Sequence, residues 1–126
     1  NDGMPAYVLD RALAVMEERS VPGFNRVGLY GLTYKENVDD TRESPTLQLL
    51  AAARERGLPA PQVYDPYVKT VMTDCQHASL DSFLAACDLV IVMVGHDQLR
   101  SRPELLNGKI VLDTRHVPGL ESAYRL

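Results

Sequence analysis

One run of residues limits the fold more than any other. Leu89-Val90-Ile91-Val92-Met93-Val94 is apolar at six consecutive positions. A strand with one wet face alternates apolar and polar residues. A run without alternation reads as a strand covered on both faces, the condition of a parallel sheet packed between helices. It is also the longest apolar run in the chain, far short of the ~20 residues a membrane-spanning helix needs.

Three other segments have strand character: RVGLYGL at 26–32, QVYD at 62–65 and KIVLD at 109–113. Helical patterns separate them. In 5–19, Val8, Leu9, Ala12, Leu13, Val15 and Met16 recur at helical spacing, with Asp2 and Pro5 as start signals and Val21-Pro22-Gly23 as the break. A second helix opens at Ser44-Pro45, a capping serine followed by a proline whose missing N–H costs nothing in the first turn. Its predicted buried stripe is Leu47, Leu50 and Ala51, and Gly57 supplies the positive φ of its exit. Asp81 is read as the cap of a short helix carrying Phe83, Leu84 and Cys87, and Asp97 as the start of another. Residues 67–79 read as irregular, and the tail after Pro118 is weakly patterned. Strands alternating with helices imply β-α-β units and an α/β fold with a parallel sheet. Such sheets bind ligands outside the carboxyl ends of their strands, where the strand order reverses.

Composition narrows the function. At 126 residues the chain is one domain with room for a core. Thirteen basic against seventeen acidic residues give a net charge of −4, which argues against a protein that coats nucleic acid. Two cysteines, Cys75 and Cys87, make no disulfide framework, and with no secretion signal in view the reading is a reduced, cytoplasmic protein. The chain opens on Asn1 rather than Met, which reads as a piece of something longer.

The strand ends hold the candidate chemistry. Four acidic residues, one lysine and one arginine crowd 31–45. This is either an ordinary solvated loop or a ligand loop, since it leaves a central strand and runs into a capped helix. Lys35 and Arg42 would bind phosphate there as a point charge and a fork, and Gly31 would let backbone approach a ligand. Gly28 and Gly31 lack the three-glycine spacing of a dinucleotide turn, and no P-loop is present. Asp65 and Asp113 end two strands; a carboxylate there takes ribose hydroxyls or, more commonly, caps the following turn. Arg115, just beyond Asp113, would reach the same crevice edge as Lys35. His96 is read as a hydrogen-bonded structural residue before a catalyst. Cys75, His77, Cys87 and Asp88 have no usual zinc spacing, and Cys87 lies on an apolar stripe.

At these residues a resemblance enters. Gly31-Leu32-Thr33-Tyr34-Lys35-Glu36-Asn37-Val38-Asp39-Asp40-Thr41-Arg42-Glu43-Ser44-Pro45 resembles the signature of the UDP-binding C-terminal domain of the UDP-glucose/GDP-mannose dehydrogenases. Tyr64-Asp65-Pro66, Val94-Gly95-His96-Asp97, Val111-Leu112-Asp113-Thr114-Arg115 and Asn1-Asp2-Gly3-Met4-Pro5 follow in the family's order. The wording leans toward members acting on UDP-N-acetylhexosamines, the UDP-N-acetylmannosamine and UDP-N-acetylglucosamine 6-dehydrogenases.

The resemblance implies a Rossmann-like three-layer α/β/α domain with a mostly parallel sheet, preceded by one N-terminal helix. It divides the chain into 1–23, the helix arriving from a central dimerisation region and docked on the sheet, and 24–126, the UDP-sugar-binding domain. Family enzymes oxidise the C6 alcohol of a nucleotide sugar to a carboxylate in two NAD-dependent steps. By motif match, Tyr34, Lys35 and Arg115 are expected at the nucleotide sugar, and Arg42 at the NAD phosphates. The three-glycine NAD motif and the catalytic cysteine motif are missing, and Cys75 and Cys87 do not match the latter. The resemblance therefore implies no catalytic residue and no metal here, and a chain inactive without the NAD-binding and central domains; intact, it implies a homodimer. Two other classes compete. A receiver-like regulatory module also alternates strands and helices, but Asp39 and Asp40 lie too far beyond the first strand, and Lys109 opens the last strand rather than ending it. An oligomerisation domain without ligand would use the stripe of helix 5–19.

Overall fold

The computed structural model describes residues 3–126. The first helix, α1 (Met4–Arg19), has Gly3 at its N-cap and Pro5 in its first turn. Its predicted start signal Asp2, and the Asn1-Asp2 pair, lie outside the described residues. Ser20 ends the helix in the left-handed conformation (φ 58°), returning its N–H to the Glu17 carbonyl. A 3-10 turn, Phe24–Arg26, then leads into β1 (Val27–Tyr30).

The remaining elements are α2 (Pro45–Glu55), β2 (Gln62–Tyr64), β3 (Gln76–His77), α3 (Leu80–Ala86), β4 (Leu89–Val92), α4 (Asp97–Arg100), β5 (Ile110–Asp113) and β6 (Tyr124–Arg125). The strands form one six-stranded sheet in the order β3-β2-β1-β4-β5-β6, with every pairing parallel. The sheet is thus wholly parallel rather than mostly so. The order runs one way from β1 to β3 and the other way from β4 to β6. It reverses between β1 and β4, which pair over Val27–Tyr30 and Leu89–Val92.

Alternate residues of the central strands feed two cores, as a sheet covered on both faces requires. Val27, Leu29, Leu89, Ile91 and Leu112 pack with Val8, Leu9, Ala12 and Val15 of α1 and Leu49 and Ala53 of α2. Tyr30, Val90, Val92 and Val111 pack with Phe83, Cys87, Leu99 and Leu106 on the other face. The apolar stripe of α1 is therefore spent on the protein's own sheet, which removes the motive for an oligomerisation helix. Gly28 lies under α3: a Cβ there would stand 2.6 Å from Phe83 and 2.8 Å from Cys87.

Several expectations need correction. The buried positions of α2 are Thr46, Leu49 and Ala53; Leu47 and Leu50 are half-buried and Ala51 is exposed. The stripe is rotated toward Thr46, which is fully buried with its hydroxyl donating to the Gly31 carbonyl at 2.5 Å. Ser79, not Asp81, caps α3, its hydroxyl accepting from the Ser82 N–H. The edge strand β3 lies in the segment read as irregular, and β6 in the weakly patterned tail. Ser44, by contrast, caps α2 by accepting from Leu47 N–H, and Gly57 exits it at φ 75°.

Candidate functional site

At the carboxyl ends of β1, β4 and β5 lies a cleft of about 300 Å³, lined by Met4, Pro5, Val8, Tyr34, Glu43, Pro45, Gln48, Met93, Thr114 and Arg115. Tyr34 and Arg115 are thus brought together. Residues of the first turns of α1 (Met4, Pro5) and α2 (Pro45, Gln48) line this cleft, with Glu43 as its acidic member. A larger hollow of about 450 Å³, lined by Leu50, Leu58, Pro59, Pro61 and Asp74 among others, lies at the amino ends of β2 and β3, away from every predicted site residue.

Arg115 is held by its own strand end. Asp113 is fully buried and accepts from the Arg115 N–H at 2.8 Å and the Val117 N–H at 2.7 Å. Its carboxylate is a turn cap, the commoner of the two readings. The Arg115 guanidinium donates from Nε to the Met93 carbonyl (2.8 Å) and from Nη2 to the Tyr34 carbonyl (3.0 Å). It clips the loop after β1 to the end of β4 and keeps three further N–H donors, of the five an arginine carries, for the cleft.

Asp65 is also a cap, and more. Its buried carboxylate accepts from the Tyr67 N–H (2.7 Å), from the Leu32 N–H (2.6 Å) and, through Oδ2, from His96 Nε2 (2.9 Å). His96 is fully buried, and its Nδ1 accepts from the Asn37 backbone N–H at 2.9 Å. A backbone N–H can only donate, so the ring proton sits on Nε2. Both ring nitrogens are committed, which fits the structural reading of His96. Asn37, at φ 60°, uses its side-chain carbonyl to accept from the Asp97 N–H (2.9 Å) and the Tyr67 hydroxyl (3.2 Å). Sequence reasoning missed Asn37, Tyr67, Gln48 and Thr114. The one available signal was that a strand-end histidine needs two partners.

Lys35 and Arg42 are placed differently. Lys35 is exposed, its carbonyl accepting from the Thr33 hydroxyl at 2.7 Å, and its ammonium enters no ion pair among the described residues. Arg42 is 87% exposed and folds back on Asp40, with Nη2–Oδ2 at 2.7 Å. The Arg42 hydrogen bonds hold the Asp40 carboxyl down at about 2, with a smaller contribution from the Lys35 charge. Neither Lys35 nor Arg42 lines the cleft. Gly31 adopts φ 105°, but its close neighbour is Val94, 2.7 Å from a notional Cβ, rather than open space for a ligand.

The groups proposed for other chemistries do not converge. Burial pushes the Cys87 thiol up to about 11, and the thiol donates to the Phe83 carbonyl. His77 bonds Gln62 and Ser82. Lys109 gives its ammonium to the Cys87 carbonyl at the amino end of the sheet, so the receiver-like reading finds no support.

Residues 28–119 match the UDP-glucose/GDP-mannose dehydrogenase family, UDP binding domain. The chain belongs to that family. It is 32% identical over its whole length to the NDP-N-acetyl-D-galactosaminuronic acid dehydrogenase of Ralstonia nicotianae, covering 29% of that protein. It is 28% identical over 93% of its length to the UDP-N-acetyl-D-mannosamine dehydrogenase of Methanocaldococcus jannaschii, covering 28% of it. Among solved structures, the UDP-N-acetyl-mannosamine dehydrogenase Cap5O of S. aureus superposes with a TM-score of 0.77 at 27% identity, over 99% of this chain and 30% of the other. A UDP-glucose dehydrogenase of Pyrobaculum islandicum gives 0.73 at 29% identity, over 99% and 29%. The chain thus spans under a third of the length of these relatives, and what it matches is the family's UDP-binding domain. None of its described helices is long and apolar enough to cross a membrane.

Proposed function

We propose that this chain supplies the nucleotide-sugar wall of an NAD-dependent UDP-sugar 6-dehydrogenase, which oxidises the sugar C6 alcohol to a carboxylate by two hydride transfers. Tyr34, Lys35 and Arg115 contact the UDP-sugar. The observation that carries the reading is the cleft at the β1/β4 reversal, where Arg115 clips the Tyr34 backbone and keeps donors free. The Arg115 guanidinium suits a diphosphate, and the exposed Tyr34 ring suits a base. The names of the relatives favour a UDP-N-acetylhexosamine.

NAD, which the family implies, finds no pyrophosphate turn here. Gly28 is packed on Phe83, Gly31 on Val94, and α2 starts only at Pro45. Arg42 is the one predicted residue left to face it, from an exposed pair with Asp40. The dinucleotide and the reacting cysteine therefore belong to parts of the protein outside these residues. Residues 1–23, which include α1, belong to the connection from a central, dimer-forming region. The chain by itself oxidises nothing, and the intact protein works as a cytoplasmic homodimer.

The test is an amide NMR titration with UDP, a UDP-N-acetylhexosamine and NAD. Shifts confined to 31–45 and 113–116 with the UDP ligands are expected. Lys35→Ala and Arg115→Ala should each weaken binding by ~10-fold while the fold is kept. Equal binding by both variants, or shifts at the hollow beside Leu58 instead, would overturn the assignment.

A further inference from the structure

Lys35 sits within a four-residue stretch whose two ends are tied to different strands. The Tyr34 carbonyl is held by Arg115, beyond β5, and the Asn37 N–H by His96, beyond β4. We propose that His96 is a positioning residue for the nucleotide-sugar site: its bare Nδ1, presented by a single tautomer, latches the Tyr34–Asn37 stretch at the cleft edge. The inference rests on the reading of that cleft given above.

The latch is built in layers. Asp65 is fixed by two backbone N–H groups and so offers Oδ2 to His96 Nε2 in one direction. That bond sets both ring orientation and tautomer, leaving Nδ1 as an acceptor. The Tyr67 ring covers the imidazole at 4.9 Å between centroids, and the Tyr30 ring meets it edge-on at 6.0 Å. The ring is fully buried while Asn37 is exposed, so an Asn37 N–H deprived of Nδ1 loses its one fixed acceptor and is left to solvent. A second bond closes the latch in the opposite sense. The Asn37 side chain accepts from the Asp97 N–H and so caps α4 from across the fold. Loop and strand end thus hold each other, and the two residues between the tethers, Lys35 and Glu36, are exposed, with side chains in no hydrogen bond or ion pair among the described residues. A ligand that meets a preset backbone pays less ordering entropy on binding.

Two isosteres separate the two ring nitrogens. An asparagine oxygen stands two bonds from Cβ, as Nδ1 does; a glutamine amide nitrogen stands three bonds away, as Nε2 does. His96→Asn keeps the acceptor for Asn37 and loses Asp65. His96→Gln keeps the donor to Asp65 and loses the latch. Both variants should melt below the wild type, so melting temperature does not discriminate between them. Amide exchange at Asn37, measured in the free protein, does. We expect exchange ~10-fold faster in His96→Gln and close to wild type in His96→Asn. UDP affinity should follow the same order, weakened ~10-fold only in His96→Gln. Equal effects in both variants, or no effect in either, would overturn the proposal. So would nitrogen shifts showing Nδ1 protonated in the wild type, a measurement that needs no variant to fold. A wild type that ignores UDP would sink the reading of the cleft, and the exchange comparison would still judge the latch.

Discussion

The loop between β1 and α2 has two halves that look alike in sequence and are held in unlike ways. Residues 34–37 are fastened by groups from the far ends of the chain: Arg115 lies 81 positions from Tyr34, and His96 lies 59 from Asn37. Residues 39–43 are held by their own neighbours, with Asp40 accepting from the Arg42 N–H and guanidinium. The first half rests on buried carboxylates, Asp65 and Asp113, that cannot be screened by solvent. The second rests on an exposed pair of the kind that contributes little. Charge in a sequence shows where a loop is polar. What the charge is fastened to decides whether it is placed.

The sharpest way to break the contrast is to remove the common anchor. Asp65→Ala strips the acceptor from Leu32, Tyr67 and His96 at once and should cost ~3–5 kcal/mol, read by denaturant unfolding. Cys87 gives a control. Its thiol, pushed up by burial, should stay unlabelled at pH 8 while Cys75 reacts, unless the whole sheet opens. If Asp65→Ala frees the loop yet leaves Cys87 protected, the anchor is local to the site.

A smaller effect is expected at the other clip. Arg115→Lys keeps the charge but loses the fork between Met93 and Tyr34, and should cost ~1–2 kcal/mol, with UDP binding weakened more than charge alone predicts. Binding equal to wild type would mean that the charge, not the clip, matters.

The smallest effect belongs to the exposed half. Asp40→Asn should leave the melting temperature unchanged. The Asp40 carboxyl is held below its ordinary value, so any contribution of the pair is present above the ordinary carboxylate range and is lost as pH falls toward about 2. Carboxyl NMR titration checks this, and an Asp40 midpoint near 4 in the wild type would erase the contrast between the halves.

Much of the fold was legible because its signals are local. The 89–94 run, Ser44-Pro45 and Gly57 each state their own conformation, and β4, the α2 cap and the α2 exit stand where they point. The misses have distant causes. Thr46 is buried with its hydroxyl bonded to Gly31, fifteen positions earlier, which hydropathy cannot anticipate. β3 and β6 exist only because a neighbouring strand offers its edge to two polar or half-buried residues. The site divides the same way. The 31–45 loop announced itself by composition, and the strand-end carboxylates read correctly as caps. The pairing of Asn37 with His96 exists only after β1 and β4 lie side by side.

The two-residue outer strands have one more consequence. An open sheet exposes unpaired amides along both margins, and a long flat margin is a template on which a foreign strand can grow. Here each margin offers only two residues, Gln76-His77 on one side and Tyr124-Arg125 on the other. The most aggregation-prone segment of the chain, the apolar run of β4, is sealed between β1 and β5. The brevity of both edge strands gives a foreign strand little to pair with, and the most apolar strand of the sheet presents no edge at all.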